Sequence, residues 1–142
     1  MRIFTVSILF SLLLIGCSFG KYEAKKIDTI TQLKPTEEDQ YHMFVFFDFP
    51  HHEVPDPSWL EEVDEYLQMQ YEIYEKMMPI LNADLKTDLF GVRNASENQE
   101  QIDFLNINEF PTCIILDNTG IVLATTDMYE AAEFLRMLPD TN

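Results

Sequence analysis

The chain has 142 residues with a formal net charge of −16 from 9 basic and 25 acidic side chains. Such a charge repels nucleic-acid phosphates and anionic lipid headgroups, which excludes both as ready partners. Eleven Phe, six Tyr and one Trp are enough to fill the core of one small domain. The two cysteines stand at positions 17 and 113.

The first element is a hydrophobic leader. Met1-Arg2 supplies one positive charge, and Ile3 to Ile15 is uncharged throughout. That run is too short for a membrane span, which takes roughly 20 apolar residues, but it has the length of a signal-peptide core. It closes on Leu14-Ile15-Gly16-Cys17, which resembles the lipobox of bacterial lipoproteins. The resemblance implies that residues 1–16 are removed and that Cys17 becomes a diacylated N-terminus on the outer face of the bacterial membrane. The other reading is an ordinary secretory signal cut after Gly20, which would discard Cys17. Arg2 is the only charge in the leader, so the chain that remains is more acidic still.

Residues 17–40 carry Lys21, Glu23, Lys25, Lys26, Asp28, Lys34, Glu37, Glu38 and Asp39 with few large apolar side chains. That composition predicts a polar tether; the other possibility is a short edge strand over Ile27 to Ile30. The folded domain is then expected over residues 41–142.

His42 to Asp48 is a continuous aromatic and β-branched run, the form of a strand buried on both faces. A loop rich in proline and histidine follows from Phe49 to Pro57. Ser58-Trp59-Leu60-Glu61 has the form of a capping box. Trp59, Val63, Leu67, Tyr71, Tyr74 and Met78 recur at helical spacing, which predicts a long amphipathic helix from Trp59 to near Pro79. A second strand is expected within Ala83 to Val92 and a short helix over Glu97 to Leu105. Cys113 to Asp117 reads as a buried strand, and Asn118-Thr119-Gly120 as a hairpin turn in which Gly120 takes a positive φ. Ile121 to Thr125 returns antiparallel. Asp127 and Glu130 open a last helix with Tyr129, Ala132, Phe134, Leu135 and Leu138 as its apolar face, ended by Pro139.

This order is βαβ followed by ββα, an α/β fold with a mixed central sheet and helices on both faces. From Tyr41 to Leu138 the chain resembles the thioredoxin superfamily, most specifically from Phe104 to Gly120, where Phe110-Pro111-Thr112 leads into an apolar strand and a tight turn. The resemblance implies a cis Phe110–Pro111 bond. It also implies a ligand groove formed by Pro111 and Phe110 with His51, His52 and Trp59 as side walls, at the end of the sheet where the parallel strands finish.

The resemblance fails at the chemistry. Thioredoxins exchange disulfides through Cys-x-x-Cys at the start of the first long helix, and the corresponding stretch here, Phe49 to Ser58, holds no cysteine. A redox-inactive member is expected. Cys113 reads as a small core hydrophobe within its strand, the alternative being a reactive thiol. His51 and His52, with Glu53 and Asp56 nearby, form a polar loop or a metal-ligand set, although adjacent histidines on an extended loop point apart. His42 reads as structural. Glu61, Glu62, Asp64 and Glu65 read as a solvated helix face. Asn94-Ala95-Ser96 matches a glycosylation triplet, relevant only in a eukaryotic secretory setting.

These readings lead to a lipid-anchored binding or scaffold module of the bacterial envelope, with no cofactor, metal or nucleic acid. It would take an extended peptide or an envelope component beside Pro111 by strand addition. A weaker resemblance to small peptidoglycan-associated lipoproteins points the same way. An enzyme using Cys113 or a metal at His51 and His52 is one alternative. An acidic low-affinity calcium binder, resembling calsequestrin but with one domain, is another.

Overall fold

The computed structural model describes residues 20–50, 63–83 and 86–139. At its centre lies β1 (His42–Phe47), where Met43 through Phe47 are all at most 2 % exposed. Successive side chains of a strand point to opposite faces, so a run this apolar needs cover on both sides. Met43, Val45 and Phe47 pack into one core cluster, Phe44 and Phe46 into the other. Each such side chain contributes roughly 1.5–3 kcal/mol by leaving water.

The first cluster is closed by α2 (Glu65–Ala83) and α4 (Met128–Met137), through Met77, Met78, Leu81, Met128, Ala131 and Leu135. The second is closed by the helix at residues 20–33 (α1) and by α3 (Gln99–Leu105), through Leu33, Ile30, Ile102 and Leu105. A 3₁₀ turn, Ala95–Glu97, leads from β2 (Leu89–Asn94) into α3. The strands β3 (Thr112–Asp117) and β4 (Gly120–Thr125) complete a four-stranded sheet in the order β2-β1-β3-β4. β1 and β2 are parallel, while β1–β3 and β3–β4 are antiparallel. This mixed, three-layer α/β arrangement is the thioredoxin-like fold that the sequence pattern implies, and the Phe110–Pro111 bond is cis.

Several elements differ from expectation. Residues 20–33, expected as tether or edge strand, are helical. The cause is tertiary. Tyr22 packs its ring 5.4 Å from Phe104 and donates its hydroxyl to the Asp103 carbonyl at 2.8 Å. Lys25 pairs with Glu100 at 3.3 Å, and Lys34 donates to the Asn118 carbonyl at 2.5 Å. Leu33 is buried, and its carbonyl lies 2.7 Å from His42 Nδ1, which ties the end of α1 to the start of β1.

The long helix begins at Glu65, not at Trp59, because Asp64 is its cap: Asp64 Oδ1 accepts from Leu67 N–H at 2.9 Å. The proposed capping box at Ser58 lies outside the described residues. α2 also runs past Pro79 to Ala83. Proline removes one helical hydrogen bond, but Pro79 faces outward while Met77, Met78 and Leu81 anchor both sides of it.

In α4 the buried face is Met128, Ala131, Ala132 and Leu135, a clean i, i+3, i+4, i+7 stripe. Tyr129, expected within it, is 73 % exposed. The hairpin turn is as expected. Gly120 has φ +148°, and Asp117 Oδ1 accepts from Thr119 N–H, the Thr119 hydroxyl and Gly120 N–H. Gly91 in β2 meets a spatial constraint: a Cβ there would stand 3.0 Å from Phe44 Cδ1. Among the described residues no helix is long and apolar enough to cross a membrane.

Candidate functional site

The end of the sheet where β1 finishes and β3 begins is built by three local devices. The ladder between β1 and β3 ends at the pairing of Phe46 with Thr112, so Asp48 leaves β1 at the end of the sheet where Pro111 precedes β3. Gln70, fully buried on α2, then clamps the strand end. Its Oε1 accepts from Asp48 N–H at 2.8 Å, and its Nε2 faces the Asp48 carbonyl at 3.5 Å. An amide side chain thus satisfies both backbone groups of a residue that has just left the ladder. Beyond it Phe49 stacks on Phe47 at 5.1 Å and meets Tyr74 edge-on at 6.2 Å. The Asp48 carboxylate is left at the surface.

Across from it the α3–β3 connection turns at Asn106, whose φ of 57° is the left-handed conformation of a helix C-cap. Thr112 donates its hydroxyl to the Glu109 carbonyl at 2.6 Å. Phe110 leans on the second core cluster, and Pro111 is buried. Beside this turn lies a cavity of about 410 Å³, walled by Ile107, Glu109 and Thr112 on one side and by Thr125 and Thr126 at the end of β4 on the other. That volume is in the range of ligand sites, roughly 300–1,000 Å³.

Tyr66, in the first turn of α2, links the two halves. Its ring is 43 % exposed, yet its phenol is pushed above the usual tyrosine value. Burial of the hydroxyl end is the main cause, followed by the charges of Asp48 and Asp64, with Glu109 adding less; a hydrogen bond with the Phe110 backbone works the other way. The charges of Asp48, Asp64 and Glu109 thus all act on this phenol.

Of the residues singled out from sequence, the structure brings Phe110 and Pro111 to this site. His51, His52 and Trp59 lie outside the described residues, as does Cys17. His42 lies at the opposite end of β1, against α1. Asp64 and Glu65 are exposed, as the solvated-face reading expects, and Asp64 also caps α2; Glu61 and Glu62 lie outside the described residues. Cys113 is buried completely in β3, and burial pushes its thiol up to about 12. Among the described residues no group of three or more His, Cys, Asp or Glu side chains could hold a metal ion.

Sequence reasoning missed Gln70, Tyr66, Asp48 and Glu109. Gln70 offered a signal, since one position after it, at Tyr71, the apolar stripe of α2 turns toward the core. The others carry none, because only the fold places them together.

Neither a protein-family model nor a curated protein matches the sequence. Solved structures do. The thioredoxin of Malassezia sympodialis, described as a member of a pan-allergen family, is 15 % identical over 78 % of this chain and 84 % of its own, with a TM-score of 0.46. The oxidised thioredoxin of Plasmodium falciparum is 16 % identical over 80 % and 88 %, with a TM-score of 0.45. The Fasciola hepatica thioredoxin is 10 % identical over 72 % and 84 %, with a TM-score of 0.47. The fold assignment rests on the strand order, register and layers described above.

Proposed function

We propose that this chain is a thioredoxin-like binding module without disulfide-exchange activity, anchored by lipid at Cys17 to the outer face of a bacterial membrane. In this reading an extended peptide or an envelope component such as peptidoglycan lies in the cavity beside Pro111. The observation that carries the reading is the state of the thiols. Attack on a disulfide needs an accessible thiolate. Cys113 is fully buried, with its thiol held near 12. The only other cysteine is Cys17, far in sequence from the start of α2.

Support for binding near Pro111 comes from the cavity and from the Thr112 hydroxyl, which holds one wall by donating to the Glu109 carbonyl.

The direct test is thiol chemistry on the full chain. The protein should fail to reduce insulin, and Cys113 should react with a thiol reagent only after unfolding. Rapid labelling of the native protein would overturn the reading and reinstate the single-cysteine enzyme. The anchor is tested separately, by incorporation of labelled palmitate into the wild type and its loss in Cys17→Ala; equal labelling of the two rules out acylation at Cys17. For the groove, backbone amide shifts on adding soluble peptidoglycan fragments or an unstructured peptide should concentrate at Tyr66, Phe110, Thr112 and Thr125.

A further inference from the structure

A second cavity, of about 430 Å³, lies away from the Pro111 site in the angle between α2 and the start of α4. Met69, Ile73 and Met77 run along α2 at intervals of four residues, and Met128 and Tyr129 come from α4. The α2 stripe is about 12 Å long at 1.5 Å per residue, a little over two helical turns. Its floor is core: Met77 and Met128 are each 4 % exposed. Its lips are apolar and open, with Met69 at 41 % and Tyr129 at 73 % exposure. Three of the lining side chains are thioethers, which repack easily around different apolar shapes.

The charge around this groove is mostly negative. Glu72 and Asp127 line it, Glu65 stands one turn before Met69, and Glu133 one turn after Tyr129. Among the described residues Lys76 is the only basic one lining the groove, and its ammonium is already held by Glu72 at 3.0 Å. The whole chain carries −16. An acidic partner or an anionic bilayer would be repelled from such a rim. A second copy of this chain would bring the same charge.

We infer that the groove between α2 and α4 docks a cationic amphipathic helix from a protein partner. Apolar side chains of the incoming helix at i, i+3/i+4 and i+7 fill the space over Met69, Ile73 and Met128. Its lysines or arginines face Glu65 and Glu133. The shape gives a helix-in-groove complex, and the charge selects the partner and speeds encounter. The proposal is independent of the reading at Pro111, because the two cavities share only Thr126.

The test is fluorescence anisotropy of the purified full chain with a labelled leucine/lysine peptide of about five helical turns. Two controls are run: its scrambled isomer, and a leucine/glutamate peptide of the same spacing. The amphipathic leucine/lysine peptide should bind saturably at about 0.15 M salt, and each control at least tenfold more weakly. Met69→Lys and Tyr129→Lys alter exposed positions, so their thermal midpoints should stay near wild type while affinity falls at least tenfold. Absence of saturable binding overturns the proposal. Equal binding of the scrambled peptide, or binding unaffected by both substitutions, reduces the effect to general charge attraction and overturns it too. A concentration-dependent dimer that these substitutions dissociate, without peptide binding, would assign the groove to a second copy instead.

Discussion

Gln70 is the residue on which the geometry at the end of β1 depends. It is completely buried and polar, and it exchanges hydrogen bonds with both backbone groups of Asp48. Gln70→Ala would leave the part-buried N–H and C=O of Asp48 without their side-chain partner, at a cost of about 1 kcal/mol. It would also loosen Asp48. The expected outcome is a lower urea midpoint with an unchanged m-value, and faster amide exchange at Asp48. Gln70→Glu keeps the shape but buries a charge, and it should be worse at neutral pH than in acid.

Asp117 is the other residue with a testable charge. Its carboxyl is held below the usual value first by the Thr119 hydroxyl, with the Thr119 and Gly120 amides and Lys34 adding to this. A depressed carboxyl stabilises the fold above its unfolded value, near 4, and that contribution is lost as pH falls through the folded value. Asp117→Ala should therefore lower the thermal midpoint at pH 7, and the gap from wild type should close as the pH drops below 4.

Among the elements, α1 best separates composition from context. Its residues are mostly charged or polar, and nothing in their pattern marks a buried helix. The helix forms because Ile30 and Leu33 close the second core cluster and because Tyr22, Lys25 and Lys34 find partners on α3 and the β3–β4 turn. Leu33→Ala should cost about 2–5 kcal/mol, as large as a core strand substitution. A tether would make it neutral, so a denaturation curve distinguishes the two.

The strands were legible for the opposite reason. β1 is apolar from Met43 to Phe47 and β3 from Cys113 to Leu116, and only burial on both faces explains such runs. The hairpin was legible because Gly120 and Asp117 meet its local geometry. The start of α2 and the face of α4 were misjudged where one residue decided: Asp64 as cap, and Met128 as the first core position in place of Tyr129.

At the scale of the whole molecule, the layered fold could be read from the order of elements, and the site only in outline. Phe110 and Pro111 were visible as a motif. The walls around them come from four separate segments, joined by no spacing rule. Both open cavities meet at Thr126, where β4 passes into α4.

The docking of α1 has a consequence for how an acylated Cys17 would hold the protein. Helix is already present at residue 20, three residues beyond that cysteine. Three residues reach at most about 11 Å even when fully extended. The domain would therefore ride close to the headgroups with a fixed aspect, as a buoy moored on a short chain. At such a distance, comparable to the Debye length of about 8 Å in physiological salt, its negative charge and that of anionic lipid push apart. The face turned outward would then be set by electrostatic orientation as well as by the mooring. A flexible glycine–serine insertion of about ten residues between Cys17 and residue 20 should release that constraint. Protease cleavage within residues 18–25 on intact cells should rise several-fold in the extended variant, while the thermal midpoint of the domain stays the same. Equal cleavage of the two forms would mean that the wild-type domain already stands clear of the surface.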